Sequence, residues 1–240
     1  MAEALDAEIE RAEREAIAAP ELLERLLGQQ AASRRERSLA YRLVQARLPW
    51  QCSLDSLPFH RQPGVSGARM QTLAGPDLLR RADNVLCTGK AATGKSGLPI
   101  GPLREACRNG QRGRRSNAQG LPDEPYASLA GRTTTRLLAQ LSRRQPLLID
   151  ELGHLTSKPE QANAFFRLMQ QRCNRVSTII TTNLDLSGWD ELFDNKPLVD
   201  AMLDRLQHHC ISIRIDGPSL RSPKPPATPS ASVARRTSKT

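Results

Sequence analysis

Apolar positions along the 240-residue chain change their period near residue 83. Before that point they recur at helical spacing. Leu5, Ile9, Ala12 and Ala16 follow one another at intervals of three and four and predict helix between residues 2 and 28, with Pro20 opening a second helix that Gly28 ends. A third helix is predicted over 33–48. Ser33 and Glu36 form a capping-box pattern at its start, and Pro49 marks its stop. Leu39, Leu43 and Ala46 make its apolar face, while Arg34, Arg35, Arg37, Arg42 and Arg47 decorate the rest. Residues 51–81 read as an irregular connection holding one short helix.

After residue 83 the apolar residues gather into short runs. Val85-Leu86-Cys87 leads into a glycine-containing loop, Leu147-Leu148-Ile149 ends in Asp150-Glu151, and the Ile- and Thr-rich run from Ser177 to Thr182 ends in Asn183. Cys210 to Ile215 alternates isoleucine with polar residues, as a half-exposed strand does. Helices are predicted between the last three runs. One is capped at Ser157-Lys158-Pro159-Glu160 and runs to about Asn174, with Phe165, Leu168, Met169 and Cys173 on one face; the other spans Leu198 to His208. Buried strands alternating with helices predict an α/β fold with a parallel sheet and crossover helices. The predicted organisation is a helical N-terminal region (1–50), a connector (51–81), a core (82–221) and a basic Pro/Ser/Thr tail (222–240) that cannot bury a core and is expected to be disordered.

Composition narrows the partners. Hydrophobic residues make up 38% and aromatic residues 3%, so the core must rest mainly on Leu, Ile, Val and Ala. Lys plus Arg number 35 against 25 Asp plus Glu, a net charge of +10, which suits a polyanion such as nucleic acid or a merely solvated basic surface. The five cysteines form no CxxC pair and are odd in number, which argues against a zinc site or a disulfide framework and suits a reducing cytoplasm. No apolar run approaches the ~18 residues of a membrane span, and Met1 to Glu10 lacks a signal core.

The candidate chemistry sits at the ends of the apolar runs. Gly89-Lys90-Ala91-Ala92-Thr93-Gly94-Lys95-Ser96 matches GxxxxGK[ST] and follows an apolar strand, as a phosphate-binding loop must. Glycines let such a loop aim its backbone N–H groups at phosphate oxygens, and the next helix offers its positive end. Lys95 can reach the β- and γ-phosphates of ATP, and Ser96 can ligate Mg²⁺. Asp150 is placed to hold the Mg²⁺ shell, and Glu151 to orient or deprotonate an attacking water. Asn183 can hydrogen-bond the γ-phosphate or that water, and equally suits a strand-to-loop cap. Arg205 can complete a neighbouring subunit's site, or serve as a cation at a helix end.

In this order the motifs resemble the IstB-like helper ATPases of bacterial insertion sequences, AAA+ proteins related to the helicase loader DnaC. The resemblance covers roughly residues 33–221. Its carriers are Arg34-Arg35-Glu36-Arg37, Phe59 with Gln62-Pro63-Gly64, Ala82 to Leu86, Glu105 to Arg108, Leu148 to Gly153, Ser177 to Asn183, Trp189, and Leu203 to Leu206 with His208-His209. It implies a helical N-terminal region before a P-loop AAA+ core, and use of ATP and Mg²⁺ to assemble as a homo-oligomer on double-stranded DNA and assist the transposase of the same element. It implies phosphate and Mg²⁺ contacts from Gly89 to Ser96, a Walker B pair in Asp150 and Glu151, a sensor in Asn183 and an arginine finger in Arg205. Arg221 matches the arginine of a closing Ser-Tyr-Arg, with Leu220 in place of the tyrosine.

Two departures from that family stand out. Gly97, Pro99, Gly101 and Pro102 occupy the expected helix behind the P-loop, where an interior proline costs about 3 kcal/mol and each glycine about 1. Gln111 to Gly120 offers almost no hydrophobic residue for the strand expected there, which is read as weak or missing. These faults suggest a decayed copy, in which replacing Pro99 and Pro102 by Ala raises the melting temperature markedly. Three functions remain open: an ATP-hydrolysing transposition helper, a DNA-binding or transposase-docking adaptor without useful turnover, and a helicase-loader-like ATPase of replication.

Overall fold

Helix α1 (Ala2–Arg14) stops just before Ala16, which takes a left-handed φ of 49° and turns the chain back on itself. Helix α2 (Ala19–Gln45) then runs unbroken through Gly28, where two helices were expected. A single glycine costs about 1 kcal/mol, which the Leu-, Glu- and Arg-rich neighbours and the Arg25–Glu21 pair at 3.0 Å outweigh. Ser33 caps nothing; its hydroxyl accepts from Arg37 Nη2 one turn on. The two helices form a hairpin tied by Gln29 Nε2 donating to Glu8 at 2.9 Å and by Arg25 near Glu15. The computed structural model describes residues 2–49, 62, 65–118, 133–154, 159–189, 193 and 196–220. Part of the connector, including Phe59, Pro63 and Gly64, lies outside the described residues, as do Ser157-Lys158, Arg221 and the tail. Its described end holds two short helices, α3 (Gly67–Ala74) and α4 (Pro76–Arg80); the Ser66 hydroxyl caps the first by accepting from the Arg69 N–H at 3.1 Å.

Among the described residues five parallel strands follow: β1 (Asn84–Gly89), β2 (Arg114–Asn117), β3 (Leu147–Asp150), β4 (Thr178–Thr182) and β5 (Cys210–Ile215), in the spatial order β2-β3-β4-β1-β5. Between them run α5 (Ile100–Arg108), α6 (Thr133–Ser142), α7 (Pro159–Arg172) and α8 (Lys196–His208). Alternation along the strands feeds two cores. Leu86, Leu147, Ile149 and Ile180 face Phe165, Phe166, Trp189 and Phe193. Val85, Cys87, Leu148, Ile179, Ile213 and Ile215 face Met70, Leu73, Ile100 and Leu103. Among the described residues the aromatic rings are concentrated on the first face, where Phe193 stacks on Phe165 at 5.7 Å. Buried Arg172 fastens this layer: its guanidinium donates to the Leu141 and Arg144 carbonyls at the end of α6 and to Ser177 O before β4. Burial pushes it down to about 9, and the ring of carbonyls offsets that desolvation. Among the described residues no helix is long and apolar enough to cross a membrane.

The expectation of a weak or missing strand after residue 110 is corrected. β2 exists, although its residues are Arg-Arg-Ser-Asn. It is an edge strand whose backbone is paired on both sides: it meets β3 in register, and the Arg115 N–H donates at 2.8 Å to Ala46 O at the end of α2. Hydrogen-bond partners, not hydrophobic side chains, fix it there. The prolines mark a helix behind the loop that starts late: residues 95–99 form turns where helix was expected. The chain turns through Gly94–Pro99, and α5 begins at Ile100 with Pro99 as its N-cap and Leu103 N–H donating the first helical bond to Pro99 O at 3.1 Å. Pro102 is then the third helical residue, in the first turn, where no intrahelical partner exists for an N–H. The first-turn position of Pro102 argues for a small effect of its replacement.

Candidate functional site

All five strands point their C-terminal ends at one edge, and three of them deliver the candidate residues. Gly89 ends β1 so close to β5 that a Cβ there would lie 2.5 Å from Ile215 O. The loop that follows is shaped by Ala92 at φ 64° and Gly94 at φ 92°. Within it the buried Thr93 hydroxyl and the Lys95 ammonium both donate to Lys90 O, each at 2.9 Å. Burial pulls the Lys95 ammonium below its usual range, opposed by the nearby Asp150 and Glu151 carboxylates. The loop leaves β1 at the sheet edge where parallel β3 ends in both carboxylates. The chain's C-terminal segment closes over it: Leu220 N–H donates to Ala92 O at 2.8 Å, and the Leu220 side chain lies 2.7 Å from where a Cβ on Gly94 would be.

At the end of β3, Asp150 is wholly buried and both its oxygens are engaged. One accepts from the Thr181 hydroxyl of β4. The other accepts from Arg115 Nη2 at 2.7 Å and Nε at 3.2 Å. Glu151, the next residue, takes φ 61°, and its N–H donates to the same Thr181 hydroxyl at 2.9 Å. One carboxylate oxygen of Glu151 accepts from Asn117 Nδ2 of β2 at 2.9 Å. Asn183 leans on Gly153 so closely that a Cβ at 153 would collide with its amide oxygen. Lys95, Asp150, Glu151 and Asn183 are thus brought to one edge.

Arg205 is not brought there. It lies exposed on α8, lining a cavity with Asn84 at the opposite end of β1, about 17 Å from the loop by strand length. The groups missed from sequence are Arg115, Asn117 and the Thr181 hydroxyl. The first two sit in the segment whose polar composition hid its strand. The alternation of buried Arg114 and Ser116 with half-buried Arg115 and Asn117 is a period-2 signal that polar residues carry as well as apolar ones. The hard oxygens of Ser96 and Asp150 suit Mg²⁺, and Arg115 already neutralises the second of them.

A parallel sheet in this order, with a glycine loop after β1 and paired carboxylates after β3, defines the class: a P-loop protein of AAA+ architecture. The solved DnaC helicase loader superposes with a TM-score of 0.57 at 19% identity, over 69% of this chain and 97% of that one. DnaA from Aquifex aeolicus bound to AMPPCP superposes with a TM-score of 0.60 at 18% identity, over 70% and 51%. The model of the IstB-like ATP binding protein family matches residues 1–225, and the chain belongs to that family. A Pseudomonas aeruginosa protein named as an ATP-binding protein of insertion sequence IS21 is 34% identical over 213 residues, 89% of this chain and 80% of that one. A Geobacillus stearothermophilus protein named likewise for IS5376 is 29% identical, over 92% and 88%.

Proposed function

We propose that the chain is an ATP-hydrolysing helper of DNA transposition, which assembles as a homo-oligomer on double-stranded DNA and assists the transposase of its own element. The observation that carries the ATPase half is the convergence of Lys95, Asp150, Glu151 and Asn183 on one sheet edge. The names of the relatives, given for ATP binding in insertion sequences, support the biological half. Gly89, Lys90, Ala91, Ala92, Thr93 and Gly94 cradle the phosphates with backbone N–H groups, and Lys95 meets the β- and γ-oxygens. Ser96 and Asp150 would hold Mg²⁺, which would neutralise phosphate charge. Glu151 takes the proton of the attacking water, Asn183 orients it, and Arg221 belongs to the proposed nucleotide-binding set. Arg205, remote from its own loop, serves the site of a neighbouring copy. The division into a helical arm (1–50), connector (51–81), ATPase core (82–221) and tail (222–240) belongs to the same reading.

The test is ATP turnover by the full chain, with and without duplex DNA, beside Glu151→Gln. DNA-stimulated hydrolysis that drops at least a hundredfold in the variant is the expected result; turnover equal in both proteins would sink the reading. One observation favours a second reading, an adaptor that binds DNA without turnover. The helix behind the loop begins only at Ile100, so no helix N-terminus adjoins Lys95 and Ser96. DNA binding by a folded protein with no hydrolysis above the Glu151→Gln level is what that adaptor predicts.

A further inference from the structure

The fold gathers arginines that lie far apart in sequence. The second half of α2, the turn before β2 and the end of α6 line a cleft of about 480 Å³, whose walls include Ser38, Tyr41, Arg42, Arg112, Arg143 and Arg144. Four of its ten lining residues are arginines, and none of the ten is a carboxylate. Arg42 is held in place: its guanidinium donates to Cys107 O at 2.8 Å and to the Ser38 hydroxyl at 2.6 Å. Arg112 and Arg143 stand exposed among the lining residues. On α2, Arg34 falls one turn before Ser38 on the same face, while Glu36 is rotated by about 200° to the far side. Arg112 and Arg144 precede β2 and β3, so the cleft lies at the N-terminal edge of the sheet, opposite Glu151.

We propose that this cleft seats the phosphate backbone of duplex DNA, with Arg34 and α2 extending the track. The inference deepens the DNA half of the proposed function and rests on it. Guanidinium groups on several walls match phosphate oxygens as forked donors. A concave channel continued along a helix of ~40 Å suits a rod-like polyanion; a flat bilayer would touch only its rim, and a free phosphate would have no use for the track. Tyr41, 66% exposed at the lip, offers a ring for a sugar to pack on.

The experiment measures duplex binding by fluorescence anisotropy across a salt series, using the full chain, the double variant Arg112→Gln/Arg143→Gln and a charge-matched control, Arg167→Gln/Arg175→Gln, which alters exposed arginines of α7 and the turn after it. The cleft variant should bind roughly tenfold or more weakly at 0.1 M salt, with the slope of log K against log salt shallower by about two. The control should stay within about threefold of wild type. Both doubles change only exposed side chains, and unchanged melting curves certify their folds. Equal losses in the two doubles, or no loss in the cleft variant, overturn the proposal while the DNA reading stands. Absence of binding by the wild-type chain overturns both.

Discussion

Asp150 has no contact with water, yet two side chains from neighbouring strands meet its oxygens. Desolvating a carboxylate costs several kcal/mol unless charge and hydrogen bonds replace the lost water, and Arg115 supplies the charge. Arg115→Met removes it and leaves the carboxylate with the Thr181 hydroxyl alone. The expected loss is about 2 kcal/mol or more in urea unfolding, since Arg115 is largely shielded from solvent. Because the unneutralised carboxylate then favours a divalent cation, Mg²⁺ should stabilise the variant more than wild type. An identical Mg²⁺ response in the two proteins would show that Arg115 does not set the charge at this position. Asn117 makes a comparable bond to Glu151, so both carboxylates are held from β2. Neither contact was legible in sequence. Lys95, Asp150, Glu151 and Asn183 were, because each sits at the end of an apolar run or inside a spaced motif, whereas Arg115 and Asn117 act from a segment with no apolar period.

Elements were legible where side chains decide them and obscure where backbone partners do. β1, β3, β4 and β5 announce themselves by Val, Leu and Ile; β2 is held by β3 and by Ala46 O. The helices were misjudged by punctuation. Gly28 reads as a stop and is an interior residue, with nothing within 4 Å of where a Cβ would stand. Gly28→Ala should therefore stabilise the protein by about 0.5–1 kcal/mol, read as a higher urea midpoint at unchanged slope. Pro102 reads as a breaker and is a first-turn residue. Pro102→Ala should change stability by no more than about 1 kcal/mol, because no N–H is wanted there. A melting temperature higher by about ten degrees would instead point to a damaged helix.

At the scale of the whole molecule, the candidate chemistry is divided between two ends of one sheet. The loop and carboxylates occupy the C-terminal edge, and Arg205 stands with Asn84 near the other. A site that needs Arg205 therefore needs a second copy. Mixing tests this directly. Arg205→Ala and Glu151→Gln chains should each be inactive alone, and an equal mixture should recover up to about a quarter of wild-type turnover, since a competent interface draws Glu151 from one parent and Arg205 from the other. No recovery in mixtures that co-assemble would place Arg205 outside the chemistry.

The clasp of the C-terminal segment on the phosphate loop has a practical reach. Leu220 is bonded to Ala92 and packed on Gly94, while Gln62 Nε2 donates to Pro218 O at 2.9 Å two residues earlier. The stretch from Asp216 to Leu220 is thus stitched to the loop and to the connector at once. Anything fused directly after Leu220, whether a purification tag, a fluorophore or a partner protein, is tethered within a few residues of Ala92 and Gly94. A dye there becomes an optical gauge of loop occupancy, and a truncation that shears off Leu220 unfastens the loop it was meant to leave alone.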